Sequence, residues 1–305
     1  MSRPALIDPA AVQGTKSGAA RLSIVSNSFL IVLKIAAGAI TGSVAIVTEA
    51  VHSSIDLIAS VVAYVSLRKA DEPADESHMY GHAKIENVAA AIEGMLILIG
   101  AGVIVFEAVR RLATSAGIDH LGVGIAVIGF STVVNLAVSS YLYGQARAHD
   151  SPALEGDAAH LRADAWTSLA VLVGLVLIEV TGVVQLDAIV ALLVASAIVY
   201  AGIRILSRSS RVLVDEALPA EELDVVRDSI AANGAPELSG YHKLRGRRAG
   251  SARYIDLHLQ FVPGTSLERA HSIAHEVQGD VRRRLPGAEV LVHIEPDTGA
   301  ARAGD

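Results

Sequence analysis

The sequence predicts an α-helical membrane protein with six transmembrane helices and a small C-terminal α+β domain. The chain has 305 residues, of which 52% are hydrophobic, a share that is high for a soluble protein of this length. Six apolar stretches are long enough to cross a bilayer with a hydrocarbon core of ~30 Å. After about residue 212 the composition becomes that of a soluble domain.

Composition also excludes several kinds of site. The chain has no cysteine, which excludes disulfides, thiolate metal sites and iron–sulfur clusters. Any bound metal must therefore be held by His, Asp, Glu or water. The net charge of −7 argues against nucleic acid as a partner. Residues 1–20 lack the hydrophobic core of a signal peptide, so we expect the first span to direct the chain to the membrane.

The six predicted spans alternate with loops of unequal charge. The spans are residues 22–41, 44–68, 85–111, 120–143, 158–181 and 184–206. Lys and Arg gather before span 1 and after spans 2, 4 and 6, whereas the loops after spans 1 and 5 carry none. Arg110 and Arg111, after span 3, are the exception. By the positive-inside rule both termini are cytoplasmic, and we expect a multi-pass protein of the cell (inner) membrane.

The C-terminal part shows the order αββαβ. A helix is predicted at 221–233, strands at 240–248 and 252–262, a helix from a capping box at Thr265-Ser-Leu-Glu268 to about Leu285, and a strand at 288–294. Apolar residues alternate with polar ones from Tyr254 to Phe261, which is typical of a half-buried strand. The expected domains are an N-terminal cytosolic segment (1–20), the membrane domain (21–208), the cytosolic domain (209–297) and a disordered tail (298–305).

Two matched motifs stand inside spans 2 and 5: His52-x3-Asp56 and His160-x3-Asp164. A four-residue step places both side chains of a pair on one helix face. Acids precede each pair by three residues, at Glu49 and Asp157. Ionisable groups at membrane depth are costly and mark ion pathways, and two imidazoles with two carboxylates make a tetrahedral Zn²⁺ ligand set. The alternative is a set of buried polar groups that hold the helices together.

Other ionisable residues in the spans have less definite roles. Lys34 in span 1 is expected to snorkel or to pair with a carboxylate, and Asn27 to form a hydrogen bond across helices. Glu93 and Asp187 are expected to face a cavity or an interface, without an assigned role.

Two further groups of candidate metal ligands lie outside the spans. In the loop after span 2, Asp75, His78 and His82 could bind a metal with one water; the alternative is a solvated loop that contains two histidines. The C-terminal domain holds five of the eleven histidines, and Glu295 lies on the same strand face as His293. This concentration suggests metal binding; the alternative is surface histidines. The five are His242, His258, His271, His275 and His293.

Together these motifs resemble the cation diffusion facilitator family of proton-coupled zinc transporters over residues 20–297. The resemblance is carried by Gly42-Ser43-x5-Glu49-x2-His52-Ser53-x2-Asp56, by Pro73-Ala74-Asp75-x2-His78-x2-Gly81-His82 and by His160-x3-Asp164. It implies six transmembrane helices followed by a ferredoxin-like cytosolic domain. It also implies a homodimer in the lipid bilayer that alternates between inward-facing and outward-facing states and exchanges metal for protons.

The resemblance also implies roles for individual residues. It assigns the transport site to His52, Asp56, His160 and Asp164, the loop site to Asp75, His78 and His82, and the cytosolic site to His242, His258, His271, His293 and Glu295. Some relatives have Asp where this chain has His52 or Glu295. Lys84 and Asp215 match a salt bridge at the membrane surface that ties the dimer together in the family.

The expected function is efflux of a divalent metal by proton antiport. Mixed nitrogen and oxygen ligation suits Zn²⁺ best, with Fe²⁺, Co²⁺, Cd²⁺ and Mn²⁺ as alternative substrates. Two other functions stay open at this point. One is a membrane sensor that binds metal without transporting it. The other is an intramembrane metalloenzyme, in which Glu49 would be the general base beside an open zinc position.

Overall fold

The computed structural model describes residues 9–41, 44–114, 122–183 and 185–299. Within the helices, the side chains of Glu49 and His52 lie outside the described part, as does the predicted tail from residue 300. The chain divides into two compact units, Met1–Ser210 and Arg211–Asp305.

Six long helices make up the first unit among the described residues. They are α1 (Pro9–Thr41), α2 (Val44–Ala70), α3 (Ile85–Thr114), α4 (Gly122–Ala148), α5 (Pro152–Thr181) and α6 (Gln185–Leu213, whose last residues belong to the second unit). Within the described residues, five of these helices, all except α2, are long and apolar enough to cross a membrane. The first unit is therefore a multi-pass helical membrane domain, and the crossing by α2 remains a prediction.

Most helices extend beyond the predicted spans, and α5 shows why. It begins at Pro152 rather than at residue 158, because Ser151 caps it by accepting a hydrogen bond from the Leu154 amide and proline occupies the first turn, where a missing N–H costs nothing. Its end at Thr181 matches the prediction, since Gly182 follows in the left-handed conformation (φ 73°). Hydropathy shows where the membrane is, whereas capping residues determine where the helix ends.

Small residues allow α3 and α5 to approach closely. A Cβ atom on Gly156 would lie 3.0 Å from Cβ of Glu93 and 3.2 Å from Cα of Ala90. Such contacts between small residues are the usual means of helix association in membranes. The close approach brings Glu93 of α3 beside the N-terminal third of α5.

A buried hydrogen-bond network joins α1, α2 and α5. Asp157 Oδ1 accepts hydrogen bonds from the hydroxyls of Ser23 (3.1 Å) and Ser60 (2.9 Å). The Asn27 amide donates to Ser60 Oγ at 2.9 Å, as expected for a polar residue that bonds across helices. The network fixes the rotation of α5 relative to the first two helices.

The second unit has the predicted order of elements: α7 (Ala220–Ala232), β1 (Leu238–Ala249), β2 (Ala252–Phe261), α8 (Leu267–Arg284) and β3 (Ala288–Pro296). The sheet order is β1-β2-β3; β1 and β2 are antiparallel and β2 and β3 are parallel. Along β2, Ile255, Leu257, Leu259 and Phe261 are buried against α7 and α8, which confirms the predicted alternation.

The predicted cap of α8 was wrong by one residue. Ser266, rather than Thr265, is the N-cap, and its side chain accepts a hydrogen bond from the Arg269 amide. The Thr265 hydroxyl instead donates to the carbonyl of Val262 at 2.7 Å. Either hydroxyl can cap a helix, so the local pattern alone did not distinguish the two.

Candidate metal centre

The structure brings together three of the four residues predicted for the transport site. His160 Nε2 lies 3.2 Å from Asp56 Oδ1 and 3.9 Å from Asp164 Oδ2. Asp56 and His160 are each 6% exposed. One ligand atom from each residue lies within 4.8 Å of those of the other two. A divalent cation fits at the centre of such a group, because His nitrogen and carboxylate oxygen are both zinc ligands.

The three side chains border a cavity of about 330 Å³ inside the membrane domain. Polar groups from α1, α2, α4 and α5 line it, and apolar residues of α3 and α6 complete its wall. The polar lining comprises Lys34, Ser53, Asp56, Ser131, Asn135, His160, Asp164, Thr167 and Ser168. The cavity therefore offers space for an ion next to the ligand atoms.

His52 and Glu49 are on α2, but their side chains lie outside the described residues. Four residues separate His52 from Asp56, so the helical repeat places both on one face of α2. The fourth ligand and the possible general base therefore remain predictions from the sequence.

Asp157 has a different position from the metal ligands. It is fully buried and accepts the hydrogen bonds of Ser23 and Ser60 described above. The residues that line the cavity do not include it. The structure therefore gives this predicted accessory residue a role in holding α1, α2 and α5 together.

Two further ionisable residues lie near the candidate site: Glu93, which was expected to face a cavity or an interface, and Lys34, which was expected to snorkel or to pair with a carboxylate. Glu93 of α3 is fully buried, and its Oε2 lies 3.9 Å from Nδ1 of His160, the ring nitrogen opposite the one that faces Asp56. Lys34 of α1 is 5% exposed and lines the cavity. On α3, the buried positions Glu86, Ala89, Ala90, Glu93, Ile97 and Ala101 repeat with a helical period, which agrees with the expectation that Glu93 faces a cavity or an interface.

The loop between α2 and α3 forms a second candidate group. The carboxylate of Asp75 lies 3.4 Å from His78 Nδ1 and 3.3 Å from His82 Nε2. His82 is buried, whereas His78 and Asp75 are exposed. The backbone amide of His78 donates to Asp75 at 2.6 Å, and this hydrogen bond is the main reason why the pKa of Asp75 is lowered. The loop therefore holds an ionised carboxylate between two imidazoles.

The cytosolic sheet forms a third candidate group on the face opposite its core. The strand register sets His258 beside His242 on β1 and beside His293 on β3. Glu295 Oε1 lies 2.6 Å from His242 Nε2, and its Oε2 lies 3.2 Å from His258 Nδ1. Three imidazoles in a row with one carboxylate match the donor set of zinc sites.

The carboxylate of Glu295 is ionised in this arrangement. Desolvation by the neighbouring side chains tends to raise the pKa of Glu295. Hydrogen bonds from His258 and Gln260, with the nearby His242, outweigh that effect and lower the pKa. An ionised carboxylate is the form that binds a metal.

The remaining predicted residues lie apart from these groups within the described chain. His271 is on α8, where its ring stacks edge-on against His275 with 4.4 Å between centroids; the group formed by His242, His258 and Glu295 does not include it. Asp215 lies 3.2 Å from Nη1 of Arg247 in the second unit. Lys84 belongs to the first unit.

Comparison with known proteins identifies the family. Residues 20–214 match the family model of the cation efflux transmembrane domain, and residues 218–297 match that of the cytoplasmic domain of cation efflux proteins. The chain belongs to the cation diffusion facilitator family. It is 32% identical to the cation-efflux pump FieF of Citrobacter koseri, over 94% of this chain and 95% of that one. It is 34% identical to an uncharacterized transporter of Synechocystis, over 87% of this chain and 85% of that one.

A solved structure also matches part of the chain. The metal-bound C-terminal domain of the CzcD transporter from Thermotoga maritima is 25% identical, over 28% of this chain and 100% of that one, with a TM-score of 0.24. Membership of this family identifies the protein as a cation efflux transporter rather than an enzyme. The two alternatives, an intramembrane metalloenzyme and a sensor without transport, are thereby excluded.

Proposed function

We propose that this transporter exports Zn²⁺ from the cytoplasm in exchange for protons. The observation that carries the proposal is the group of buried Asp56 and His160 with half-buried Asp164 beside a cavity inside the membrane domain. His52 supplies the fourth ligand from α2. Two imidazoles and two carboxylates favour Zn²⁺, and Fe²⁺, Co²⁺, Cd²⁺ and Mn²⁺ are the alternative substrates.

The proposed cycle follows from the chemistry of the ligands. Carboxylates and imidazoles bind a metal only after they lose their protons, so metal and protons compete for one site. In the inward-facing state the site releases protons and takes Zn²⁺ from the cytoplasm. In the outward-facing state protons displace the ion, and the proton gradient drives the export.

The other candidate groups have supporting roles in the proposal. Asp75 and His78 are exposed to water, and the loop group that they form with His82 adjusts the rate of transport rather than carries the ion. The cytosolic group of His242, His258, His293 and Glu295 binds metal when it is abundant and biases the transporter through different affinities for its two states. His271 would complete this group from the partner subunit.

The proposed assembly is a homodimer in the cell membrane with both termini in the cytoplasm. Lys84 and Asp215 form the salt bridge that ties the two subunits together. The membrane domain comprises residues 21–208 and the cytosolic domain residues 209–297.

Zinc flux into vesicles under an imposed pH gradient tests the proposal. Asp164→Asn removes one charged ligand and keeps the shape of the side chain, so we expect zinc flux to fall to background in a folded dimer. Asp187→Asn is the matched control, because Asp187 is a buried aspartate of another long helix in the same unit and does not line the cavity. Its flux should stay near that of the unmodified protein.

Two outcomes would overturn the proposal. Zinc flux that persists in Asp164→Asn would exclude the tetrahedral transport site. Zinc flux that stays the same when the pH gradient is reversed would exclude exchange of zinc for protons.

A further inference from the structure

Lys34 is a buried cation inside the transport cavity. It lies on α1, and its ammonium group donates a hydrogen bond to the Ser53 hydroxyl on α2 at 2.7 Å. Only 5% of the residue is exposed. The same cavity is lined by Asp56, His160 and Asp164. A fixed positive charge thus borders the space that a divalent cation must enter.

The position of this lysine differs from the usual behaviour of lysine in membranes. A lysine near a helix end normally extends its ammonium group toward the headgroups. Here the ammonium group is turned inward and held by a hydroxyl of the neighbouring helix. A lysine buried at membrane depth is costly to the folded protein, so its burial indicates a function.

We propose that Lys34 is a resident cation that weakens metal binding in the cavity and thereby speeds metal release. The inference rests on the proposed transport site and goes further by assigning a residue that controls affinity. Two carboxylates and two neutral imidazoles form a complete zinc site, and such a site holds its ion tightly. An ion pathway must bind its ion well enough to capture it and weakly enough to let it leave.

The charges in the cavity explain how Lys34 acts. When metal is bound, the ammonium group repels the divalent cation across a low-dielectric cavity. When the metal has left, the same group balances part of the negative charge of Asp56 and Asp164. Lys34 therefore stabilises the empty site relative to the loaded site, which is the direction needed for release.

The test compares neutral and charged replacements in the full-length protein reconstituted in vesicles. For Lys34→Gln we expect the KM for zinc to fall about tenfold or more, since a repulsive charge is removed from a low-dielectric site. The kcat should fall as well, because release becomes slow. Lys34→Arg keeps the charge and should restore both constants toward those of the unmodified protein. Lys69→Gln, at the exposed end of α2, controls for the loss of a positive charge.

The pairing of a lower KM with a lower kcat separates this role from a structural one. A merely structural lysine would lower kcat and leave KM unchanged or raised in Lys34→Gln, and that result would overturn the inference. Lys34→Met, which an apolar helix tolerates, gives the same comparison if Lys34→Gln does not fold. An unchanged KM in a folded Lys34→Met variant is equally decisive against it.

The Asp164→Asn variant separates the two proposals. Loss of flux in Asp164→Asn together with an unchanged KM in Lys34→Gln would leave the transport site standing and reject the role of Lys34. Full flux in Asp164→Asn would reject the transport site itself.

Discussion

Replacement of Glu222 by Gln should destabilise the cytosolic domain much more than any other loss of one surface charge from α7. Glu222 is in the first turn of α7, and both of its carboxylate oxygens accept hydrogen bonds from Arg253 on β2 at 3.1 Å. A second guanidinium, that of Arg248 on β1, contacts the same carboxylate. The ion pairs of Glu222 with Arg248 and Arg253 thus hold α7 against β1 and β2, the strands that carry His242 and His258.

The expected size of the effect follows from the burial of Arg253. This residue is 8% exposed, and its guanidinium also donates hydrogen bonds to the carbonyls of Ser251 and Pro286, which carry no charge. Removal of one partner from a buried ion pair costs about 3–5 kcal/mol because it leaves an uncompensated charge. The Glu222 side chain is 15% exposed, so water compensates in part and we expect about 2–3 kcal/mol.

Thermal unfolding of residues 211–305 expressed alone measures this effect. A loss of that size lowers the Tm by about 8–20 °C in a domain of this length. Glu221→Gln is the matched control, because Glu221 lies in the same helical turn and is exposed. It removes the same charge without a buried partner and should change the free energy of unfolding by less than about 0.5 kcal/mol.

The pH dependence of the stability of the domain gives a second test of the role of Glu222. Burial tends to raise the pKa of Glu222, but the hydrogen bonds from Arg253 and the charge of Arg248 outweigh it and lower the pKa below its usual value of 4.5. The stabilisation is therefore complete above pH 4.5 and is lost as the pH falls through the lower pKa of the folded state. A Tm difference between the native domain and Glu222→Gln that stayed constant down to pH 2 would refute the reasoning, as would equal effects of Glu221→Gln and Glu222→Gln.

Two further predictions concern the metal ligands. His52→Asp should keep transport but widen it toward Cd²⁺ or Mn²⁺, because a carboxylate suits harder ions than imidazole does; competitive uptake into vesicles measures this, and an unchanged metal preference would show that His52 does not bind the transported ion. Residues 211–305 should bind zinc through β2 and β3, and the double variant His258→Ala/His293→Ala should lower the affinity at least about tenfold. Calorimetry that shows equal affinity in both proteins would exclude the cytosolic site.

Strand alternation made the cytosolic domain largely predictable. The pattern from Tyr254 to Phe261 determines which side chains face the core, and the polar set then places His258 on the open face. The meeting of His258 with His242 and His293 was not predictable from one strand alone. It depends on the register between strands and on the irregularity between His242 and Arg245, where Lys243 has a φ of 50°.

The membrane domain was predictable in a different way. A helix shows a four-residue repeat in its own sequence, so the pairs His52–Asp56 and His160–Asp164 were visible before any helix was packed. The contact of Asp56 with His160 joins two helices that are far apart in the chain, and nothing local specifies it. The similar depth of the two pairs in the bilayer limited which residues could meet. The contact itself is determined by the packing of α5 against α2 and α3.

Two residues to which sequence analysis gave no part in metal transport show the limit of what the sequence could predict. In the sequence, Lys34 and Glu93 each stand as a charged residue in an apolar stretch. Hydropathy alone counts each of them as unfavourable for membrane insertion. The role of each residue depends on where its side chain points. Lys34 points toward Ser53 and the cavity, and Glu93 points toward Nδ1 of His160. Since an ionisable group at membrane depth persists only with a compensating role, the presence of Lys34 and Glu93 inside apolar spans already indicated a function. Neighbouring helices were needed to show that Glu93 lies beside the imidazole of His160 and that Lys34 lines the cavity next to it.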